Sequence, residues 1–184
     1  YQHFLNWQNE YFSSCFDFSF FYWRKKLESA PVLYLDTDFI RQHIHIYKHD
    51  KVELALDESQ IYSIKTFCDK YDVTPNIFFL ACFNVLLYKY SNIDTILIGT
   101  LTDIRQSDYT DHLIGPMSNL LALKNRVNMD SNFIEFLEDV GSDFHYANKV
   151  SQIPFEKVVL DINPRKDMSR TALFDVIMYY EREE

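Results

Sequence analysis

The chain has 184 residues, of which 47% are hydrophobic and 17% aromatic, and its formal net charge is −9. That apolar content suffices for a packed core and excludes an intrinsically disordered chain. The acidic balance, without a long basic stretch, excludes the cationic surface that nucleic acids require and opposes binding to anionic membranes.

The cysteines give no sign of a disulfide framework. Cys15, Cys68 and Cys82 form no Cys-x-x-Cys pair, so neither a set of disulfides nor a zinc site is expected. No signal peptide is recognisable, and the longest apolar stretch, residues 77–90, is shorter than the roughly 20 residues of a membrane span. Together these features predict a cytoplasmic protein without a membrane partner.

Both ends of the chain fall inside apolar patterns. The chain begins at Tyr1 within an aromatic series that continues through Phe4 and Trp7, and it ends just after the apolar run 173–180. We therefore expect residues 1–184 to be a part of a larger domain, truncated at both ends.

In the first third of the chain, the patterns predict two helices, 1–12 and 17–29, the second ended by Pro31. Residues 31–44 have no period and are predicted to be an extended connector. Residues 45–56 are predicted to be a strand, because Val52, Leu54 and Leu56 alternate with other side chains.

Two helix starts follow. Asp57, with Gln60 three residues on, has the spacing of a capping box before a helix that runs to about Tyr71. Thr74-Pro75 places a capping hydroxyl before a proline, which predicts a second helix to about Tyr90. That helix is apolar nearly all round and is expected to be buried on most sides.

The rest of the chain alternates strands and helices. Residues 95–101 and 120–127 are predicted strands, separated by a polar loop that closes at Gly115-Pro116. An amphipathic helix is predicted over 132–147, a short helix from Pro154, and a last strand-like run over 173–180. This order predicts an α/β sandwich.

Three histidines are the densest group of possible metal ligands. His43 and His45 share one face of a strand, with His49 nearby. A metal site needs further ligands and a second shell, so a solvated edge is the favoured interpretation. Asp103, and with it Asp108 and Asp111, are interpreted as solvated loop carboxylates.

Motifs of other enzyme classes do not occur in the sequence. It contains no glycine-rich phosphate loop and no Gly-x-Ser-x-Gly nucleophile turn. A triad assembled in space from distant residues stays open as an alternative.

The string 114–119 places Asn119 where the chain enters a buried strand. Its amide either satisfies local backbone groups or faces a channel, and the spacing favours the first. If the amide faces a channel, Asn119→Ala should lower activity without unfolding the protein.

Six ordered strings stand out beyond their local patterns. They are Tyr1-x-x-Phe4-x-x-Trp7-Gln8; Tyr22-Trp23-x-x-x-Leu27; Leu86-Leu87-x-x-Tyr90-Ser91 with Asp94-x-Ile96-x-Ile98-Gly99-Thr100 and Arg105; Leu113-Ile114-Gly115 with Asn119; Pro154-Phe155-Glu156; and Lys166-Asp167-x-Ser169-Arg170 with Leu173-Phe174. In this order they resemble the condensation domains of nonribosomal peptide synthetases, over nearly the whole chain.

The sequence departs from the family pattern in several places. Lys166 stands where the family usually has arginine, and residues 150–153 replace the usual lead to Pro-Phe-Glu. Met117-Ser118 replaces a usual Phe-Val or Phe-Ile pair. The family's active-site string His-His-x-x-x-Asp-Gly does not occur in these 184 residues, and we expect it to lie just before Tyr1.

The resemblance implies a fold: one lobe of a two-lobed, chloramphenicol-acetyltransferase-like α/β sandwich, the C-terminal lobe, with residues 1–30 as lobe-connecting helices. It also implies an acyltransferase-type reaction of secondary metabolism. An amide bond forms between a carrier-bound acyl or peptidyl thioester and a carrier-bound aminoacyl acceptor, in a tunnel between the lobes.

The resemblance assigns roles to residues of this chain as well. The candidates for lining the tunnel are Gly99, Thr100, Gly115, Ser118 and Asn119. The candidates for holding the architecture are Arg105, Pro154, Phe155, Glu156, Asp167, Ser169 and Arg170. No catalytic residue and no metal are expected in this chain.

The expected partners are upstream and downstream peptidyl carrier domains, the N-terminal lobe and an adjacent adenylation domain. No cofactor is expected to bind directly, and the phosphopantetheine arms belong to the carriers. The fragment alone is expected to form no peptide bond.

Several alternatives stay open. An epimerization, heterocyclization or ester-forming domain has the same fold, although Asn119 disfavours epimerization. The lobe could instead be a non-catalytic carrier-docking module, and an unrelated α/β binding domain is the third class.

Overall fold

The computed structural model describes residues 2–44, 48–105, 110, 112–164 and 167–181, with the side chains of all of these except 11–17. Five helices and three strands lie in the described ranges. In chain order they are α1 Gln2–Leu27, α2 Glu58–Tyr71, α3 Pro75–Ser91, β1 Thr95–Asp103, β2 Ser118–Arg126, α4 Phe133–Lys149, α5 Phe155–Ile162 and β3 Ile177–Met178.

The strands form one mixed sheet with β1 in the middle. β2 pairs antiparallel with β1, with Gly99 opposite Ala122, and β3 pairs in parallel on the other side, with Gly99 opposite Ile177. Residues 96–100 are all buried. Because successive residues of a strand point to opposite faces, both faces of β1 are covered, as its continuous apolar run predicts.

Helices cover this sheet in two groups. α3 packs on β1 and on α4, and α4 packs on β2, whereas α1 and α5 pack on each other and on β2. The main core comprises apolar side chains from α1, α3, α4, β1 and β2, among them Trp23, Leu80, Ile98, Leu123 and Leu137. The α/β fold class predicted from the alternation of elements is therefore confirmed.

The helix starts encoded by capping residues are confirmed. The Asp57 carboxylate accepts a hydrogen bond from the Gln60 N–H at 2.8 Å, and the Gln60 side chain accepts one from the Asp57 N–H at 2.9 Å. Thr74 caps α3, whose first residue is Pro75. These short-range signals require only neighbouring residues, which explains why they could be read from the sequence.

The prediction of two separate N-terminal helices is wrong. Gln2–Leu27 is one continuous helix of 26 residues. The sequence between the two predicted helices contains neither proline nor glycine, so nothing in the backbone chemistry interrupts the helix.

The predicted strand 45–56 is also wrong for the part that is described. Residues 48–56 form no regular element, and Val52 and Leu54 are 96% and 90% exposed. Alternation marks a segment that could be half-buried in a sheet, but a strand needs a hydrogen-bonded neighbour, and this segment pairs with none of the described strands.

The last strand is much shorter than the predicted run 173–180. Only Ile177 and Met178 pair with β1. Just before them Leu173 has φ 72°, and the Phe174 N–H donates to the Ala172 carbonyl at 3.0 Å. This is a γ-turn with a left-handed central residue, a rare and strained arrangement. Leu173, the first residue of the predicted run, is therefore not extended.

Among the described residues, no single helix is long and apolar enough to cross a membrane. Taken together, α2 and α3 reach the necessary length and composition, but they are bent by 103° relative to each other.

Candidate substrate groove

A cavity of about 490 Å³ opens beside the ends of β1 and β2. Four separate stretches of the chain form its walls: the N-terminal part of α1, the end of β1, the start of β2 and the start of α5. The residues that line it are Phe4, Gln8, Leu101, Ile104, Pro116, Ser118, Asn119, Leu120, Pro154, Phe155 and Glu156. We call this cavity the substrate groove.

The N-terminal part of α1 is held over the groove by apolar packing. Phe4 is buried with Ile104 and Met117 in a small cluster separate from the main core. One turn further on, the Gln8 amide donates to the Gln152 carbonyl at 3.3 Å. These contacts join α1 to segments more than 100 residues away in the sequence.

Asn119 ties the start of β2 to the start of α5. Its amide nitrogen donates to the carbonyls of Ser151 at 2.7 Å and Ile153 at 2.6 Å. Its amide oxygen accepts from the N–H groups of Leu120 at 2.9 Å and Phe155 at 3.0 Å. Both N–H groups and the oxygen of this amide are thereby bonded to backbone groups. The Leu120 N–H is local, whereas the other three groups belong to residues 151–155, more than 30 positions along the chain.

Glu156 and Ser118 differ from Asn119 in this respect. Both are exposed and line the groove. Within the described part of the chain, neither side chain has a hydrogen bond or an ion pair.

The five candidate tunnel residues are not all brought together. Ser118 and Asn119 line the groove, whereas Gly99 and Thr100 are buried in β1 away from it. Gly115 is half-buried next to Pro116, which does line the groove. The assignment of these residues to a tunnel stays a prediction.

The candidate architectural residues fall into three places. Pro154, Phe155 and Glu156 line the substrate groove. Arg105 fixes the chain after β1, because its guanidinium bonds Asp103 at 2.9 Å and the Leu113 carbonyl at 3.4 Å.

Asp167 and Arg170 line instead a second cavity of about 780 Å³, between the connector and the loop before β3, and Ser169 is hydrogen-bonded to Asp167. Arg170 forms an ion pair with Asp175, donates to the Leu33 carbonyl at 3.2 Å and lies 4.6 Å from the Tyr34 ring centre. It therefore joins the connector to the C-terminal loop.

Asp167 closes a small turn at the edge of this cavity. It accepts hydrogen bonds from the hydroxyl and the N–H of Ser169, at 2.6 and 2.9 Å. The bond from the Ser169 side chain, then that from its backbone, lower the pKa of the Asp167 carboxyl. Lys166 lies outside the described residues.

The possible metal ligands do not assemble. His43 lines the second cavity, and His45, Asp108 and Asp111 lie outside the described ranges. Across the described residues no three His, Cys, Asp or Glu side chains are grouped as a metal site would require. Cys68 and Cys82 are free thiols whose pKa values burial raises.

Six residues that line the groove were not among the predicted site residues: Phe4, Gln8, Leu101, Ile104, Pro116 and Leu120. For Phe4 and Gln8 a signal was present in the sequence, since both belong to the string Tyr1-x-x-Phe4-x-x-Trp7-Gln8. Spacing alone could not reveal that this string folds against residues 101–104 and 116–120.

The groove thus joins motif residues from distant parts of the chain. The family model "Condensation domain" matches residues 1–183. The chain belongs to the condensation-domain family. The resemblance inferred from the six strings is confirmed.

The relatives of this condensation-domain chain are nonribosomal peptide synthetases. Gramicidin S synthase 2 from Brevibacillus brevis is 33% identical over 179 residues, which cover 96% of this chain and 4% of that protein. This chain therefore spans a small fraction of the curated relatives it matches.

Solved structures agree in fold. A four-domain nonribosomal peptide synthetase, holo-AB3403 bound to AMP and glycine, superposes with a TM-score of 0.86 at 25% identity, over 91% of this chain and 13% of that one. The X-domain from teicoplanin biosynthesis, in its complex with OxyB, superposes with a TM-score of 0.82 at 21% identity, over 96% of this chain and 39% of that one.

Proposed function

We propose that this chain is part of a condensation domain that forms an amide bond between a carrier-bound acyl or peptidyl thioester and a carrier-bound aminoacyl acceptor. The observation that carries the proposal is the family match over residues 1–183. The groove supports it, because six of the eleven residues that line it belong to the motif strings that define the resemblance: Phe4, Gln8, Asn119, Pro154, Phe155 and Glu156.

In this proposal the chain supplies one wall of the substrate tunnel and positions the acceptor. Holding two reactants in a fixed geometry is a large part of the catalysis of a two-substrate reaction. The string His-His-x-x-x-Asp-Gly does not occur in these residues, so the proposal assigns proton transfer from the amine to a histidine elsewhere in the parent protein.

The groove suits part of a phosphopantetheine arm of a carrier domain. Leu101, Phe155 and Ile104 supply apolar surface, and Gln8 and Ser118 supply polar atoms at the rim. Among the described residues that line the groove, none is Lys, Arg or His. The amide-bearing portion of the arm therefore matches the groove, and its phosphate would have to bind elsewhere.

The test uses the full-length parent protein with two loaded carrier domains and mass spectrometry of the carrier-bound product. We expect an amide-linked product from the parent and none from the 184-residue chain. An ester, a heterocycle or an epimerized acyl group would show one of the related chemistries. Amide formation by the isolated chain would refute the division of roles.

A carrier-docking or recruiting lobe without catalysis is the second candidate. The observation that favours it is the fold shared with an X-domain that forms a complex with OxyB. Titration of the parent with a loaded carrier domain distinguishes the two. Saturable binding without product favours docking, and product favours condensation.

A further inference from the structure

Some polar side chains of the substrate groove are hydrogen-bonded within the protein, and others are not. The Asn119 amide is bonded to four backbone groups. Gln8 donates one N–H of its amide to the Gln152 carbonyl, which leaves its side-chain oxygen and its second N–H available. The Ser118 hydroxyl and the Glu156 carboxylate have no partner among the described residues.

Most of the available atoms accept hydrogen bonds, and the available donors are the second Gln8 N–H and the Ser118 hydroxyl. A carboxylate only accepts, a glutamine oxygen only accepts, and a hydroxyl can accept as well as donate. Within the described part of the chain, the residues that line the groove include one acidic side chain and no basic one. The groove therefore matches a ligand that brings N–H donors or a positive charge.

The Glu156 side chain makes none of the hydrogen bonds that hold the start of α5. The backbone N–H of Phe155, at the start of α5, is bonded by Asn119. The N–H groups of Lys157 and Val158 bond the Pro154 carbonyl, at 2.9 and 3.3 Å. These three N–H groups of the first turn of α5 are thus bonded without the Glu156 side chain, although Glu156 lies within the Pro-Phe-Glu string whose residues were predicted to hold the architecture.

We propose that Glu156 binds the amino group of the ligand in the substrate groove, with Ser118 and the Gln8 oxygen as additional acceptors. The chemical class recognised is a primary amine on a short amide-bearing chain. This inference rests on the proposed function for the identity of its ligand, since the aminoacyl acceptor carries such an amine. Glu156 is then a binding residue for the acceptor rather than an architectural one.

The experiment compares two small probes with the full-length parent protein by equilibrium dialysis at neutral pH. Glycine n-butylamide carries a protonated amine, and N-butylacetamide is its neutral counterpart of nearly the same shape. Glu156→Gln should weaken binding of the amine probe about three- to five-fold, the range of an exposed charge pair, and leave the neutral probe unchanged. Ser118→Ala should weaken the amine probe to a smaller degree.

Glu138→Gln is the matched control, because Glu138 is an exposed glutamate of α4 that lies outside the groove. The proposal is overturned if Glu156→Gln and Glu138→Gln change binding of the amine probe equally, or if the neutral probe binds as tightly as the amine probe.

The acceptor KM in the condensation assay separates this inference from the proposed function. If the parent makes no amide but Glu156→Gln still weakens the amine probe, the amine site stands and the condensation proposal fails. If amide forms, and Glu156→Gln changes neither the acceptor KM nor the binding of the amine probe, then the amine-site proposal is refuted and the condensation proposal stands.

Discussion

Gly99 and Phe174 fill a single space at the centre of the sheet. A Cβ atom on Gly99 would lie within 2.7 Å of three atoms of the Phe174 ring, and Phe174 is buried. The Gly99 N–H also donates to the Val176 carbonyl at 2.8 Å. The strained turn at Leu173 thus delivers a ring to the one position of β1 that has no side chain.

We expect Gly99→Ala to destabilise the fold by about 1–3 kcal/mol, the usual cost of overpacking a core. The Phe174 ring has to leave the position it shares with Gly99, and the turn before β3 has to move with it. The free energy of unfolding in urea measures the effect.

Gly141→Ala is the control for this change. A Cβ on Gly141 would meet Ile77 at 3.5 Å, an ordinary contact, and alanine is favoured over glycine in a helix by about 1 kcal/mol. We expect no loss of stability there. In a Phe174→Ala background, Gly99→Ala should also become nearly harmless, and a full cost in that background would contradict the shared-space interpretation.

We expect Asn119→Ala to lower stability by about 3 kcal/mol, because it leaves two carbonyls and the Phe155 N–H without partners. The melting temperature and condensation activity should be measured on the same samples. Asn119 also lines the groove, and a loss of activity at an unchanged melting temperature would instead support a role in facing the substrate.

Ser118→Ala serves as the neighbour control for stability. Ser118 lines the same groove, but its hydroxyl makes no hydrogen bond within the described residues, so removing the hydroxyl should leave the melting temperature unchanged. A drop equal to that of Asn119→Ala would show that the four bonds of Asn119 are not the cause.

The features that the sequence predicted are those that depend on residues close together in the chain. The caps at Asp57 and Thr74 involve residues within one helical turn, and both were predicted. The apolar alternation at Val52 and Leu54 indicated a strand, but pairing depends on a distant partner that local pattern does not report. The turn at Leu173 is followed by a ring that packs against Gly99, and local pattern does not report a contact between residues 75 positions apart.

The candidate site was predictable in part for the same reason. Ser118, Asn119 and Pro154 could be named from their strings, yet their convergence with Phe4 and Gln8 required the fold. The substrate groove depends on contacts across more than 100 residues, which periodicity cannot supply.

Asp57 should give the fold a specific acid sensitivity. Its hydrogen bond from the Gln60 N–H, and then one with Ser59, lower the pKa of the Asp57 carboxyl below its ordinary value near 4. A lowered pKa in the folded state means that the stabilisation is complete above the unfolded pKa and is lost as the pH falls through the folded one. The melting temperature should therefore fall below about pH 4.

Asp57→Asn keeps a capping oxygen but removes this titration. We expect a melting temperature near that of the natural chain at pH 7, and a shallower fall between about pH 4 and pH 2. Asp36→Asn removes the same charge from the exposed connector and is the control. An equally shallow fall in that variant would attribute the effect to net charge instead.

The last prediction concerns Arg170, which joins the connector to the loop before β3. Its side chain is only 12% exposed, and it contacts Asp175, the Leu33 carbonyl and the Tyr34 ring at once. Lysine cannot reproduce this planar, forked arrangement. Arg170→Lys should therefore cost about 2 kcal/mol of stability and expose residues 31–44 to limited proteolysis.

Arg126→Lys is the matched change at an exposed site. The Arg126 side chain is 77% exposed, and it pairs with a half-exposed Asp94 at 3.0 Å. Surface pairs of this kind contribute little, so neither the melting temperature nor the cleavage pattern should change. If Arg170→Lys leaves the connector as resistant as Arg126→Lys does, the connector is held by the apolar contacts of Leu33 rather than by the guanidinium.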